Sequence, residues 1–196
     1  DTWPKDAYLN SGGANAWSGF SLDMENEIVY VPTGSAAFDY YGGDREGDNL
    51  FANSIIALDA NNGLRLWHYQ VTHHDIWDRD LPAAPNLVDI KMGNKSIKAL
   101  VQITKSGYLF VLNRITGNPI YPIIEKDVPK SKLEGEKASL TQPVPTVFPI
   151  FSRNKLTELD FPIRSKKAYD FSKKLWENRV YGEFEPLTTT GNILFP

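Results

Sequence analysis

The stretch ALDANNGLRLW at residues 57–67 recurs as VLNRITGNPIY at residues 111–121. In both copies two apolar residues precede Asp or Asn, a glycine follows four residues later, and an aromatic residue ends the unit. Each copy predicts a β-hairpin, because the Asp or Asn side chain can bind turn amides and glycine supplies a positive φ. We expect the terminal aromatic residue to pack on a neighbouring sheet. The spacing of 54 residues exceeds the roughly 40–50 of a propeller blade, which indicates an enlarged connection.

The rest of the first 125 residues also has the pattern of an all-β protein. Period-two alternation and β-branched or aromatic residues, separated by Gly, Asn and Asp, predict short strands rather than long helices. The predicted strands cover residues 27–31, 54–58, 64–69, 100–104 and 108–112.

The pattern changes near residue 125, and we divide the chain into blades at 1–125 and a loop-rich, short-helical insert at 126–196. Residues 127–137 are charged and predict a loop. Residues 141–149 contain three prolines, which exclude a central strand and indicate an extended segment on a surface. Residues 156–179 predict one or two short helices, with Phe171, Leu175 and Trp176 at helical spacing. We interpret them as an amphipathic insert packed against the β core.

Composition limits the classes of function. The 196 residues suffice for one domain with a sizeable core, and the net charge of -3 gives no attraction to nucleic acid or an anionic membrane. The absence of cysteine excludes disulfides and thiolate metal sites. The sequence contains no signal peptide and no apolar run of about twenty residues. It opens without methionine, and we expect it to be part of a longer polypeptide.

The densest group of reactive side chains is HHDIWDRD at residues 73–80, with two imidazoles, three carboxylates and an indole. One of its carboxylates could act as a general base, or could bind a hard cation such as calcium. Alternatively, the His-His-Asp run caps a turn and Arg79 pairs with Asp78 or Asp80. Zinc is a weaker interpretation, since only His68 remains as a further imidazole.

Two residues elsewhere extend this group. Lys105 ends a predicted strand before a Gly turn, where it could hold an anionic or carbonyl oxygen, although a solvated turn lysine is the alternative. Trp17 lies in a loop of small residues at 11–19, where its indole could stack on a flat ligand, although a core tryptophan is the alternative. A base, a cation and an aromatic platform together describe a pocket for a planar, polyanionic redox cofactor.

Five segments resemble the quinoprotein glucose dehydrogenases, within the pyrroloquinoline quinone (PQQ) dependent alcohol dehydrogenase family. They are residues 34–41, 49–59, 67–70, 73–83 and 104–108. The most specific motif is His-Asp-x-Trp-Asp at 74–78, followed after 27 residues by a lysine at a strand end. The resemblance implies about two to three blades of an eight-bladed β-propeller, with PQQ and a divalent cation, calcium or magnesium, near its axis.

The resemblance also implies roles for individual residues. Asp78 matches the catalytic aspartate, which takes a proton from the substrate hydroxyl while a hydride passes to PQQ C5. Lys105 matches the lysine that hydrogen-bonds the quinone oxygens, and Trp17 matches the tryptophan beneath the ring. His74 matches a loop histidine of the catalytic site, to which we assign orientation of the site rather than proton transfer. Asp80 matches an extra metal-binding carboxylate of some alcohol-oxidising relatives.

The metal shell departs from the family pattern at Ser35. Many relatives have Gly-Asn where this chain has Gly34-Ser35, and that Asn binds the metal. Ser35 could offer the cofactor site only a weaker hydroxyl contact. The resemblance therefore leaves Asp78 and Asp80 as the metal ligands from this chain, with further ligands from blades outside it.

From the resemblance we expect a dehydrogenase that oxidises a glucose-like aldose or a polyol and passes electrons to a quinone or cytochrome. The resemblance implies a periplasmic or extracytoplasmic protein, with membrane attachment through other parts of the parent. A non-enzymatic propeller scaffold for binding or envelope assembly is the alternative, and a calcium-dependent hydrolase lacks a recognisable nucleophile. We expect the isolated fragment to be inactive, and unstable or oligomeric, because open blades expose strand edges.

Overall fold

The computed structural model describes residues 2–154 and 156–193, and most of the regular secondary structure of these residues is β-strand, joined by turns and long loops. The strands are β1 (Ser21–Asp23), β2 (Ile28–Pro32), β3 (Ser54–Asp59), β4 (Arg65–Gln70), β5 (Asn86–Met92), β6 (Lys95–Ile103), β7 (Leu109–Asn113), β8 (Ile123–Asp127), β9 (Thr141–Pro145), β10 (Val180–Tyr181) and β11 (Asn192–Ile193). One α-helix, α1 (Lys166–Glu177), and short 3₁₀ turns at 7–9 and 158–160 complete the secondary structure of these residues. The predicted all-β class is confirmed, and all five predicted strands are present with shifts at their ends.

The first sheet has the four antiparallel strands of a complete propeller blade. Strands β1 to β4 follow one another in an antiparallel sheet of four. The alternation predicted for β2 is visible in its burial, because Ile28, Tyr30 and Pro32 are buried and the intervening Val29 and Val31 are half-buried. Ile55 and Ala57 of the central strand β3 are fully buried. The blade therefore buries apolar side chains on the strands that the period-two pattern identified.

The second sheet is a nearly complete blade. Strands β5, β6 and β7 form an antiparallel sheet of three, and a single antiparallel bridge joins Leu112 to Pro119. The amide of Ile120 donates to the carbonyl of Val111 at 2.9 Å, but Pro119 has no amide hydrogen with which to extend the ladder. Strands β8 and β9 form a further antiparallel pair. These three units agree with the predicted two to three blades.

The repeated hairpins have the predicted turn chemistry. The carboxylate of Asp59 accepts from the amide of Asn61 at 2.8 Å, and the Asn113 side chain accepts from the amide of Ile115 at 2.9 Å. Gly63 and Gly117 have φ values of 74° and 76°. Each turn therefore uses the side chain and the glycine for which the repeat was recognised.

The aromatic residue that ends the first copy packs on the second sheet. A Cβ placed on Gly117 would lie 2.7 Å from the indole of Trp67, and the Trp67 indole nitrogen donates to the carbonyl of Arg114 at 3.1 Å. Tyr30 donates to the same carbonyl at 2.8 Å. The contact between Trp67 and Gly117 thus joins the first blade to the second.

The segment at 141–149 is extended and is not a central strand, as predicted, but its first half pairs as strand β9 and is largely buried, so its predicted place on a surface needs correction. Gln142 is 1% exposed, and its side-chain amide donates to the carbonyl of His73 at 2.6 Å. Pro143 and Pro145 are tolerated because β9 is an edge strand, paired only with β8. The boundary drawn between residues 125 and 126 lies within β8. Sheet structure therefore continues into the region described as an insert.

The helix is present where the spacing predicts it, but it does not pack on the β core as expected. Trp176 contacts Phe161 and Tyr181 of the neighbouring segments, with both ring-centroid distances at 5.6 Å, and Phe171 is 64% exposed. Phe184, beyond the helix, joins the buried core instead. Among residues 2–154 and 156–193 no helix is long and apolar enough to cross a bilayer.

The contact between the blades can be tested with two glycines of similar φ. We expect Gly63→Ala to lower the free energy of unfolding of the full-length protein by about 1–2 kcal/mol, the cost of a left-handed alanine. Gly117→Ala should cost about 1–3 kcal/mol more, because its Cβ also collides with Trp67. Urea unfolding followed by circular dichroism measures both. Equal losses in the two variants would contradict the packing described for Trp67.

Candidate functional site

The reactive loop at residues 73–80 folds around the buried carboxylate of Asp75. One carboxylate oxygen accepts from the amide of Trp77 at 2.9 Å, and the other accepts from the amide of Arg79 at 2.7 Å. The second oxygen also accepts from the side-chain amide of Asn53 at 2.7 Å and from the hydroxyl of Ser35. The loop is thereby tied to the residues that precede β3 and follow β2.

This wrapping holds Asp78 in an unusual backbone conformation. Asp78 has a φ of 60°, in the left-handed region that residues other than glycine rarely adopt. The amides of its two neighbours, Trp77 and Arg79, both donate to Asp75. A strained conformation persists where its surroundings fix it, and such conformations cluster at functional sites. The Asp78 side chain is 30% exposed, whereas Asp75 is buried.

A distant segment holds the same two neighbours from the other side. The indole nitrogen of Trp77 donates to the carbonyl of Glu185 at 2.9 Å, and a guanidinium nitrogen of Arg79 donates to the carbonyl of Glu183. The Arg79 guanidinium also lies over the rings of Trp77 and Phe184, at 5.0 and 4.8 Å from their centroids. The residues on both sides of Asp78 are therefore fixed by residues 183–185.

Lys105 meets Asp78 across the gap between the two blades. The turn between β6 and β7 carries Lys105, and its ammonium lies 2.7 Å from the carboxylate oxygen Oδ2 of Asp78. The hydroxyl of Tyr40 lies 3.4 Å from the same oxygen. The structure thus brings together the base and the cation that the sequence indicated, and it adds a phenol.

Trp17 and Asp80 form the neighbouring part of the cluster. The indole nitrogen of Trp17 donates to Asp80 at 2.7 Å, which holds the ring by its edge while the side chain remains 55% exposed. A Cβ on Gly34 would lie 2.4 Å from the Asp80 carboxylate and 3.2 Å from the indole nitrogen of Trp17. Only glycine at position 34 therefore allows this approach, and the indole keeps a face open to a flat ligand.

Electrostatics sets the two carboxylates of the cluster apart. Burial raises the pKa of Asp78, and the neighbouring Asp80 carboxylate raises it further, although the Lys105 ammonium opposes both effects. Burial would also raise the pKa of Asp80, but hydrogen bonds from Trp17, Ser35 and Asp78 outweigh it and hold that pKa below its ordinary value. Asp80 is therefore the stable anion, and Asp78 is the stronger base.

Lys105 remains a cation in this setting. Burial lowers the pKa of its ammonium, but the hydrogen bond and the negative charge of Asp78 more than compensate, so that the pKa lies above its ordinary value. The cluster thus holds a permanent positive charge beside a carboxylate that can take up a proton.

His74, which the resemblance placed in the catalytic site, does not lie in this cluster. Its imidazole is 2% exposed and is enclosed by the carbonyl of Gly47 at 2.8 Å and the carboxylate of Glu136 at 2.7 Å. Burial would raise the pKa of Glu136, but hydrogen bonds from His74 and the amide of Gly42 keep it lowered. These partners occupy both ring nitrogens, so His74 does not stand with the reacting groups although the resemblance grouped it with them. Its contacts are in keeping with the orienting role assigned to it from the sequence, because they hold the loop in position.

The Ser35 hydroxyl contacts a carboxylate of the protein, whereas the resemblance suggested a contact with the cofactor. The hydroxyl donates to Asp75 inside the protein, and Ser35 is 6% exposed. Its side chain and its backbone amide also help to lower the pKa of the Asp80 carboxyl. Ser35 therefore supports the two carboxylates instead of pointing a free hydroxyl outward.

The donors for a metal ion are few in this part of the chain. Across the described residues, no group of three or more His, Asp and Glu side chains could hold a metal ion. Asp78 and Asp80 supply two adjoining carboxylates, which suit a hard divalent cation. Any complete shell would need ligands from other parts of the protein.

Asp78 and Lys105 are only partly buried, and they do not line the two clefts around Phe161 and Leu175 and around Trp3 and Tyr8. A third cleft contains the paired Asp23 and Arg114, but it lacks an aromatic residue. The chemistry of Asp78 and Lys105 therefore identifies the site better than concave shape does.

Sequence reasoning missed three residues of the site. Tyr40 lies in the segment 34–41 that carries the resemblance, but no local pattern connects it with Asp78, 38 residues later. Asn53 likewise meets Asp75 only through folding. Gly34 could have been noticed, since a glycine after a strand often marks a close approach to a neighbouring group.

Comparisons with known proteins place the whole sequence in one family. A family model for PQQ: Glucose/ethanol/alcohol dehydrogenase, beta-propeller domain, matches residues 1–196. Quinoprotein glucose dehydrogenase A of Acinetobacter calcoaceticus is 37% identical over 93% of this chain and 24% of its own length. Quinate/shikimate dehydrogenase (quinone) of Acinetobacter baylyi is 38% identical over 80% of this chain and 20% of its own length. The chain spans about a quarter or less of these relatives.

A solved structure supports the propeller architecture. Quinohemoprotein alcohol dehydrogenase from Comamonas testosteroni superposes with a TM-score of 0.57 at 31% identity. The match covers 74% of this chain and 22% of that protein. The sheets described above therefore correspond to part of a larger propeller.

The opposing influences on Asp78 can be separated by two substitutions in the metal-free protein. We expect Asp80→Asn to lower the pKa of Asp78, because a neighbouring negative charge disappears. Lys105→Met should raise it, because a cation that favours the carboxylate is lost. Carbon NMR of labelled aspartate measures both titrations, and Asp78→Asn identifies the signal. Shifts of the same sign in both variants would contradict the proposed electrostatics.

Proposed function

Since the chain belongs to the β-propeller family of PQQ-dependent glucose, ethanol and alcohol dehydrogenases, we propose that it carries the base and the cofactor contacts of an enzyme that oxidises a glucose-like aldose or a polyol. Electrons then leave through a quinone or cytochrome. One relative is a quinone-linked dehydrogenase by name, which supports the first of these acceptors. We further propose a periplasmic or other extracytoplasmic site of action, with membrane association through other parts of the parent protein.

One observation carries the proposal: the Lys105 ammonium lies 2.7 Å from Asp78, and Asp80 beside them holds the exposed indole of Trp17. Two adjoining carboxylates on an open face destabilise each other, and a propeller scaffold without a ligand gains nothing from them. A proton acceptor, a fixed cation and an aromatic face are the groups that oxidation of an alcohol on a flat quinone requires. The arrangement therefore supports the dehydrogenase over the scaffold.

The residues present fit PQQ, which is flat and carries three carboxylates. The Trp17 indole would stack on its ring, since Asp80 fixes the edge of the indole and leaves a face open. Lys105 would hydrogen-bond its quinone oxygens. The absence of a side chain at Gly34 preserves this geometry. When bound, PQQ supplies the two-electron oxidation by accepting a hydride.

The protein's part of the reaction is proton transfer and orientation. The ionised carboxylate of Asp78 takes the proton of the substrate hydroxyl, which leaves the carbon ready to give up its hydride. In the metal-free protein, burial and Asp80 raise the pKa of Asp78, so that it is a stronger base than an ordinary aspartate. The αL backbone, held by Asp75, keeps this carboxylate facing Lys105. Pre-organised groups of this kind avoid reorganisation during the reaction.

A divalent cation, calcium or magnesium, would be held from this chain by Asp78 and Asp80. Both are carboxylates, the ligands that hard cations prefer. The lowered pKa of Asp80, which follows from its hydrogen bonds to Trp17 and Ser35 in spite of burial, keeps that group ionised over a wide pH range. Asp80 is thus suited to binding and Asp78 to proton transfer.

The proposal is tested by reconstituting the full-length protein with PQQ and calcium and measuring dye reduction with an aldose or a polyol. We expect Asp78→Asn to reduce turnover by about 10²–10⁴-fold, the range for loss of a general base, while PQQ binding is retained. Asp170→Asn removes an exposed carboxylate of α1 and should leave turnover unchanged. Retained turnover in Asp78→Asn would exclude Asp78 as the base. A wild-type protein that fails to bind PQQ would reject the function.

A further inference from the structure

Two consecutive tyrosines after β2 use their hydroxyl groups differently. The hydroxyl of Tyr41 donates to the carbonyl of Glu134 at 2.8 Å and so holds the loop between β8 and β9. The hydroxyl of Tyr40 instead lies 3.4 Å from the carboxylate oxygen Oδ2 of Asp78. Tyr41 has a structural contact, whereas Tyr40 is directed at the proposed base.

The contact between Tyr40 and Asp78 is too long to satisfy the phenol. Hydroxyl donors normally lie about 2.5–3.0 Å from their acceptors, and Lys105 already occupies the same oxygen at 2.7 Å. Tyr40 is also 44% exposed. Its hydroxyl is therefore available to a molecule that binds beside Asp78.

The phenol keeps its proton in this position. The pKa of a tyrosine hydroxyl is ordinarily about 10, which keeps it protonated at neutral pH. A protonated phenol can both donate and accept a hydrogen bond, as a sugar hydroxyl can. Tyr40 is thus chemically suited to pair with a second hydroxyl group.

We propose that Tyr40 determines specificity by binding the substrate hydroxyl on the carbon next to the one that is oxidised. The inference rests on the proposed function and narrows its substrate class to compounds with vicinal hydroxyls. A hydroxyl that gives its proton to Asp78 must lie within hydrogen-bond distance of that carboxylate. The Tyr40 oxygen lies 3.4 Å from the same carboxylate, so a hydroxyl one carbon away comes within its reach.

Tyr40 discriminates between substrates because only those with a neighbouring hydroxyl can form a hydrogen bond with it. A substrate without the neighbouring hydroxyl leaves the phenol with only its long contact to Asp78, after the bound molecule has displaced water from it. Sites that hydrogen-bond a substrate hydroxyl discriminate against analogues that lack it, because their polar group is then left unpaired. Aldoses and polyols should therefore be favoured over monohydric alcohols.

The test compares substrates that differ only in the neighbouring hydroxyl, using the full-length protein reconstituted with PQQ and calcium. D-glucose is paired with 2-deoxy-D-glucose, and 1,2-propanediol is paired with 1-propanol. We expect Tyr40→Phe to lower kcat/KM for the member with the vicinal hydroxyl by about 3- to 10-fold, the range for one hydrogen bond, mainly through KM. For the member without the vicinal hydroxyl, kcat/KM should change by less than about twofold, because this substrate makes no hydrogen bond that the variant could lose. Tyr41→Phe removes the adjacent hydroxyl and should alter neither member.

Two results would overturn the assignment. One is an equal fall in kcat/KM for both members of a pair, which would mean that Tyr40 acts on Asp78 and not on a second hydroxyl. The other is a Tyr40→Phe variant whose kcat/KM equals that of the wild type for both members, which would mean that Tyr40 does not contact the substrate. Failure of the proposed function is distinguishable from both, because the wild-type protein would then oxidise neither pair with PQQ.

Discussion

The site depends on the hydrogen bonds that the buried carboxylate of Asp75 accepts. It accepts from two amides of its own loop, from Asn53 and from Ser35, while its backbone carbonyl accepts from the buried guanidinium of Arg45. A carboxylate with this many donors is well compensated for the loss of water. The reactive loop is thereby bound to the first blade, and the backbone at Asp78 is held in its left-handed conformation.

The three aspartates of this loop show how surroundings decide the role of a side chain. Asp75 is buried and saturated with donors, Asp80 is held ionised by Trp17 and Ser35, and Asp78 is kept basic by burial and by Asp80. Environments that separate the pKa values of neighbouring acids are the usual basis of acid and base assignments in enzymes. The same short loop thus supplies its own anchor, an anion and a base.

Much of this could be predicted because the determinants are local. The turns at Asp59 and Asn113 follow from side chains and glycines a few residues apart, and the strands follow from period-two patterning. The grouping of Asp78, Lys105 and Trp17 came from a resemblance, since no local rule brings together residues separated by 27 and 61 positions.

The features that the sequence did not predict depend on long-range packing. His74 is enclosed by Gly47 and Glu136, the second of which is 62 residues away. Strand β9 escaped notice because its prolines exclude only a central position in a sheet, and an edge position was open to it. The helix α1 was located by its spacing, but spacing does not specify the partner on which Trp176 packs.

The most direct test of the cofactor face assigned to Trp17 and Lys105 is calorimetric titration of the full-length protein with PQQ in the presence of calcium. We expect Lys105→Met to weaken binding by about tenfold or more, the range for a lost charge-assisted hydrogen bond. Lys98→Met, which removes a cation paired with exposed Glu25, should bind as the wild type does. Equal affinity in all three proteins would contradict the cofactor face assigned to Trp17 and Lys105.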